Sequence, residues 1–117
     1  MSRTSFAARG CPVARSLDVI GDAWTLLVVR DLLFGVRRFD ALQADLGISR
    51  KVLADRLARL REHGIVTRSR YHERPPRYEY WLTRKGLELQ PVLLTLGRWS
   101  TRWHGAGGEA PLEYVHT

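Results

Sequence analysis

The period of the apolar positions changes along the chain, and each change marks an element. Behind Pro12, a favoured first helical residue, Val13, Leu17 and Ile20 recur at helical spacing until Gly21 ends the run. A short first helix is expected. Asp22 is a suitable cap for a second helix whose interior, Trp24 to Phe34, is apolar nearly all round and stops at Gly35. Such a helix belongs in the core, as scaffold and not as a binding face. Phe39, Leu42 and Leu46 then step by three and four and close at Gly47, which predicts a third, short helix. Ser49 is a good N-cap for a fourth, whose stripe of Leu53, Leu57 and Leu60 runs to His63 and the C-cap glycine Gly64.

After Gly64 the pattern alternates. Ile65 to His72 and Arg77 to Leu82 read as two strands, with Tyr78, Tyr80 and Leu82 on one face and Pro75 and Pro76 between the strands. Thr83 can cap a long final helix, bent near its start by Pro91. That helix carries Leu89, Val92, Leu96, Trp99 and Trp103 at spacings of 3, 4, 3 and 4, the seam helices use to pair. Two tryptophans in a terminal seam predict packing against a second chain, and so a homodimer.

Two helices joined by a tight turn at Gly47 and Ile48 have the form of a helix-turn-helix. The second shows Arg50, Lys51, Asp55, Arg59 and Glu62 away from its leucine stripe, as a recognition helix does. A hairpin with Arg70, His72, Arg74 and Arg77 around its tip completes the layout of a winged helix. The expected fold is mainly α with a small β-hairpin (α+β). With no internal repeat and no linker before the glycine-rich stretch Gly105 to Gly108, one domain is expected over residues 11–104. A flexible N-terminal arm (1–10) and C-terminal tail (105–117) would flank it.

The chain has 117 residues and a mass of 13.4 kDa, the size of one domain with one core. Its 44% hydrophobic and 26% charged content is that of a soluble globular protein, and no apolar run is long enough to span a membrane. Met1 to Gly10 lacks the apolar core of a secretory signal, so a cytoplasmic protein is expected. Charge adds more. Between Arg50 and Lys85 eleven cationic side chains face four anionic ones, so the entire net charge of +7 lies in one contiguous third of the sequence. Most are arginines, whose planar fork suits phosphate and guanine. A GC-rich genome would account for the arginine preference but not for the clustering. The charge implies an anionic partner without by itself identifying it; together with the helix-turn-helix and the hairpin, the expected partner is double-stranded DNA.

Within that segment, Ser49, Arg50 and Lys51 stand where a recognition helix meets phosphates and base edges. Asp55 could accept from a cytosine or pair with Arg59 four residues on; the pair is the favoured reading. Arg56 lies nearer the core side. Arg68 could pair with Glu79 across the hairpin, and the charged hairpin tip could serve as a wing or keep an edge strand soluble. Trp24, Trp81, Trp99 and Trp103 suit core or dimer seams better than base stacking, although aromatics between helices could also line a pocket for a small aromatic effector.

The single cysteine, Cys11, excludes an intramolecular disulfide and a cysteine-based zinc site, and the four histidines show no metal-ligand spacing. No metal and no cofactor are expected. Neither paired carboxylates nor a phosphate loop is visible, and a Cys11-based peroxidase or transferase is the only enzymatic option; none is expected. Cys11 could be an ordinary buried thiol, or, at the start of a helix with Arg9 and Arg15 nearby, a nucleophilic one. A winged helix that binds RNA or another protein is the alternative to a DNA-binding one.

Several segments are similar to one known family. Cys11-Pro12-Val13, Ile20-Gly21-Asp22-Ala23-Trp24-Thr25, Arg37-Arg38-Phe39, Ile48-Ser49-Arg50-Lys51-Val52-Leu53, Arg56-Leu57, His63-Gly64, Pro75-Pro76-Arg77-Tyr78-Glu79-Tyr80 and Leu82-Thr83-Arg84-Lys85-Gly86 resemble, in order, the HxlR-type winged helix-turn-helix regulators. The resemblance covers roughly Cys11 to His104. It implies a bacterial transcription factor, by default a repressor, acting as a dimer on a pseudo-palindromic operator. The subunits would join through the terminal helices, which brings Leu17 into the interface. It also implies that the cysteine before Pro12 senses thiol-reactive compounds, as in some family members. The family usually has a lysine just before the tryptophan of the second helix; Ala23 stands there, so no role of that lysine is carried over.

Overall fold

A computed structural model describes residues 10–105; apart from their inner ends, the expected arm (1–10) and tail (105–117) lie outside the described residues. The elements run α1 (Pro12–Ile20), α2 (Thr25–Leu33), α3 (Phe39–Leu46), α4 (Arg50–Glu62), β1 (Val66–His72), β2 (Arg77–Leu82), α5 (Arg84–Leu87) and α6 (Gln90–His104). The fold is a winged helix-turn-helix, mainly α with one β-hairpin.

Local chemistry places most boundaries. Pro12 opens α1, and Gly21 closes it with its N–H on the Leu17 carbonyl at 2.9 Å. Asp22 accepts from the backbone N–H of Trp24 and of Thr25, each at 3.0 Å, and so caps the turn that leads into α2. Gly47 ends α3 in the left-handed conformation at φ 66°, which a side chain would disfavour, and Ser49 Oγ accepts from Val52 N–H at 3.2 Å to start α4. Val28, Val29 and Leu32 of α2, Leu42 of α3 and Leu53, Leu57 and Leu60 of α4 form the core, joined by Ile48, Ile65, Val66, Tyr80 and Leu93.

Three features depart from the sequence expectations. Phe34, expected inside the core, sits at the C-cap of α2 and is half exposed, because the helix turns it past the last buried position, Leu32. The long final helix is two helices. Thr83 caps only the short α5, its Oγ accepting from Gly86 N–H at 3.2 Å, and α6 begins afresh at Gln90 with Pro91 in its first turn. Proline has no N–H for the carbonyl four residues back, and its ring would collide with it, so the chain breaks there instead of bending. Third, the hairpin has a further edge: Arg38 bridges to Glu79, and Tyr80 N–H donates to the Arg37 carbonyl at 2.8 Å. The hairpin itself pairs Val66 with Leu82, Arg68 with Tyr80 and Arg70 with Tyr78, with an irregularity between Arg70 and His72.

Asp31 of α2 is 1% exposed. Arg30 Nη2 donates to its Oδ1 at 3.2 Å, while Oδ2 is buried without a partner. Burial and, after it, the neighbouring Asp45 carboxyl push the Asp31 carboxyl up to about 6.

Leu89, assigned from the sequence to an intersubunit seam, packs against the chain's own core. Its seam companions Val92, Leu96, Trp99 and Trp103 are exposed, as are Val13 and Leu17 of α1, so both terminal helices carry apolar side chains in solvent.

Candidate nucleic-acid interface

Helix α4 buries its leucine stripe and leaves Arg50, Lys51, Ala54 and Asp55 exposed on the other side. Arg50 Nη1 lies 3.3 Å from Asp40 Oδ1, and its guanidinium sits 4.7 Å from the Phe39 ring centre. Lys51 makes no ion pair with the described residues.

Two of the expected pairings are replaced. Asp55 pairs with its neighbour Arg56 at 2.6 Å, not with Arg59. Arg59, expected on the presented face, turns inward: Nη1 is 3.5 Å from Asp22 Oδ2 and Nη2 donates to the Asp18 carbonyl at 3.1 Å. Arg56 and Arg59 flank the buried stripe, and the turn between α1 and α2 offers them a half-buried carboxylate. Arg56 Nε donates to the same Asp22 at 3.0 Å. Burial alone would raise the Asp22 carboxyl, but the Thr25 hydroxyl, the Trp24 N–H and Arg56 outweigh it and hold the group below its ordinary value.

On the hairpin, Arg70 reaches Glu73 and the Tyr78 hydroxyl, both at 3.2 Å, and the Arg70 guanidinium holds the Tyr78 phenol below its usual value. His72 Nδ1 faces the Pro75 carbonyl at 3.0 Å. Arg74 and Arg77 are exposed and make no ion pair with the described residues. Arg68 does not meet Glu79: the register sets it opposite Tyr80, and its guanidinium lies over the Tyr78 ring at 3.9 Å. Glu79 pairs instead with Arg38 at 3.3 Å.

Between the start of α3, the start of α4 and the hairpin opens a cleft of about 660 Å³, lined by Arg38, Arg50, Tyr71, Arg77, Tyr78 and Tyr80 among others. Arg50 and Arg77 were legible as candidates from the sequence; Arg38 and Tyr71 were not. Arg38 lies in a stretch without period, and its strand-like pairing with Glu79 carries no local signal.

Cys11 occupies the N-cap position of α1 and is exposed, so it is not a core thiol within this chain. Arg15 Nη1 donates to the Gly10 carbonyl at 2.8 Å. Arg9 lies outside the described residues. Among the described residues no group of three or more His, Cys, Asp or Glu side chains is placed to hold a metal ion, and no helix is long and apolar enough to cross a membrane.

Known proteins share this arrangement. A transcriptional regulator of the HTH type from Mycobacterium tuberculosis, itself uncharacterised, is 37% identical over 116 residues, which span 99% of this chain and 73% of the relative. Among solved structures, PA1607, assigned as a transcription factor, has a TM-score of 0.80 at 42% identity, covering 92% of this chain and 75% of its own. The redox regulator HypR in its oxidised form has a TM-score of 0.70 at 35% identity, covering 79% of this chain and 96% of its own. The model of the HxlR-like helix-turn-helix family matches residues 19–107. The chain therefore belongs to the HxlR-like helix-turn-helix family, and it is a DNA-binding transcriptional regulator and not an enzyme.

Proposed function

We propose that the protein is a homodimeric repressor in which each protomer lays α4 in the major groove of a pseudo-palindromic operator. The observation that carries this reading is the union of exposed cations on α4 with those of the adjacent hairpin, in the segment that holds the whole net charge of +7. Ser49, Arg50 and Lys51 supply contacts at the helix start, and Asp55, exposed one turn further, faces the same groove. Arg70, His72, Arg74 and Arg77 form the wing and meet the backbone or minor groove beside it. Arg59 is left out, since Asp22 and the Asp18 carbonyl occupy its donors.

The dimer forms through α1 and α6, where Val13, Leu17, Val92, Leu96, Trp99 and Trp103 are exposed in the single chain. Exposed Cys11 caps that same α1, and α1 is tied to α4 by the Arg59 contact to Asp18. Thiol-reactive compounds are the proposed effector: modification of Cys11 at the dimer helix changes the separation of the two recognition helices and so the operator affinity. Similarity to the redox regulator HypR supports this reading. With one cysteine per chain, the available products are a disulfide between protomers, a mixed disulfide with a small thiol, an alkylated thiol, or an over-oxidised sulfur.

The test is a titration onto duplex DNA from upstream of the protein's own gene and onto a scrambled duplex, across a salt series, with Cys11 free or alkylated. Tight binding to the upstream duplex alone, with a steep salt slope and two protomers per site, is expected. Equal, weak binding to both duplexes overturns the operator reading, and unchanged affinity after quantitative alkylation overturns the thiol switch.

A further inference from the structure

The cleft beside the recognition helix collects guanidinium groups from three separate elements: Arg38 before α3, Arg50 at the head of α4 and Arg77 at the start of β2. Arg50 and Arg77 already belong to the surfaces assigned to DNA, so the cleft is continuous with both. Arg38 has no role in that assignment. Its setting is nevertheless that of a prepared anion ligand.

Its backbone is fixed, through the bridge to Glu79 and the neighbouring Arg37 carbonyl that accepts from Tyr80 N–H at 2.8 Å. Its guanidinium carbon lies 4.1 Å from the centre of the Tyr71 ring, which gives the group a cation–π support. Only Nε is engaged, with Glu79 Oε2 at 3.3 Å, and neither Nη makes a hydrogen bond with the described residues. The Arg38 side chain is 57% exposed and Glu79 27%. An ion pair so open to water contributes little and exchanges readily for a stronger anion. The two Nη groups form a fork that matches two oxygens of one phosphate. The first turn of α3, whose N–H groups have no side-chain cap, lies in the same wall; it also carries the exposed Asp40, whose carboxylate is paired with Arg50 at 3.3 Å.

We infer that Arg38 binds a phosphate of the DNA backbone, on the strand that passes through the cleft between α4 and the hairpin. This rests on the reading of α4 and the hairpin as DNA-binding elements. When a helix fills the major groove and a wing reaches the neighbouring groove, the ridge between the two grooves is a sugar–phosphate strand. A side chain between helix and wing therefore meets phosphate and no base edge. Arg38 adds affinity for any duplex and holds the register of α4, while sequence is read elsewhere. Glu79 is its competitor, holding the side chain in place until the duplex arrives.

The experiment measures affinity of the full-length protein for the upstream and scrambled duplexes over a salt series, for wild type, Arg38→Gln, Glu79→Gln and the double variant. Arg38→Gln is expected to weaken both duplexes by the same factor, roughly fivefold near 0.1 M salt, and to lower the salt slope by about 1. Glu79→Gln should tighten binding in the wild-type background and not in the Arg38→Gln background; an arginine that only braces the fold would give no such dependence. Unchanged affinity and slope for Arg38→Gln overturns the inference. So does a loss confined to the upstream duplex, or equal tightening by Glu79→Gln in both backgrounds. Should Arg38→Gln unfold, the wild-type comparison with Glu79→Gln decides alone, and absence of tightening overturns the inference. A wild-type protein that binds neither duplex overturns the underlying reading instead.

Discussion

Arg56 Nε lies 3.0 Å from Asp22 Oδ1, joining the middle of α4 to the turn between α1 and α2 across 34 residues of sequence. The same carboxylate takes the N–H groups of Trp24 and Thr25 and, through Oδ2, Arg59 at 3.5 Å. One side chain thus holds the turn before α2 and ties α4 to it. Both arginines and the aspartate are largely withdrawn from water, so this link between α4 and the turn is worth more than an exposed surface pair.

Asp22→Ala should therefore lower stability by about 3 kcal/mol, since it takes from Arg56 and Arg59 the carboxylate they share, leaving them only Asp55 and the Asp18 carbonyl, and leaves the backbone N–H groups of Trp24 and Thr25 without their acceptor. Asp22→Asn, which can still accept from the backbone, should cost less. Chemical denaturation at pH 7 checks both. The Asp22 carboxyl sits below its ordinary value of 3.8, so its contribution is present above that pH and is lost as the pH falls through the folded value.

Asp31 has the opposite sign. Its carboxyl is pushed up to about 6 from 3.8, so between these values the native chain keeps a proton that the unfolded chain releases. Its contribution is fullest below pH 4 and declines as the pH rises to about 6. Asp31→Asn should flatten the stability profile in that window and leave the acid limb due to Asp22 in place. Thermal unfolding from pH 4 to 7 tests this, and an Asp31→Asn profile parallel to wild type counts against it.

Gly86 is set by contact, not by backbone freedom: a Cβ there would meet the Ile65 carbonyl and, at 2.9 Å, Leu82 Cδ2. Gly86→Ala must push α5 off the hairpin base, at a cost on the order of 2 kcal/mol. A fall in the unfolding midpoint with an unchanged denaturant slope is the expected result.

Trp99 is 57% exposed in the single chain and sits in the middle of the α6 seam. Under the dimer reading Trp99→Glu places a charge in the subunit interface, and sedimentation should show the variant at the protomer mass of 13.4 kDa where wild type sediments at twice that. A wild-type chain that sediments as a single protomer removes the dimer from the proposal.

Much of this protein was legible in its sequence. Gly47 and Ser49 predicted the turn and the start of α4, the leucines at 53, 57 and 60 its buried face, and the alternation after Gly64 the hairpin, because caps, turns and periods act between residues a few positions apart. The clustered charge, itself a local property of the sequence, lies on α4 and the hairpin, the elements proposed to meet DNA. Other features needed the chain to be folded. Which carboxylate holds Arg59, where Glu79 finds its partner, why the Asp31 carboxyl is pushed up and how Arg38 comes to stand on Tyr71 depend on packing between residues apart in sequence. Local propensity carries no term for such contacts, so only the packed structure decided them. Proline showed both sides: Pro91 announced a disturbance in the last helix, but the docking of α5 against Ile65 through Thr83 and Gly86 is a tertiary contact that no local signal carried.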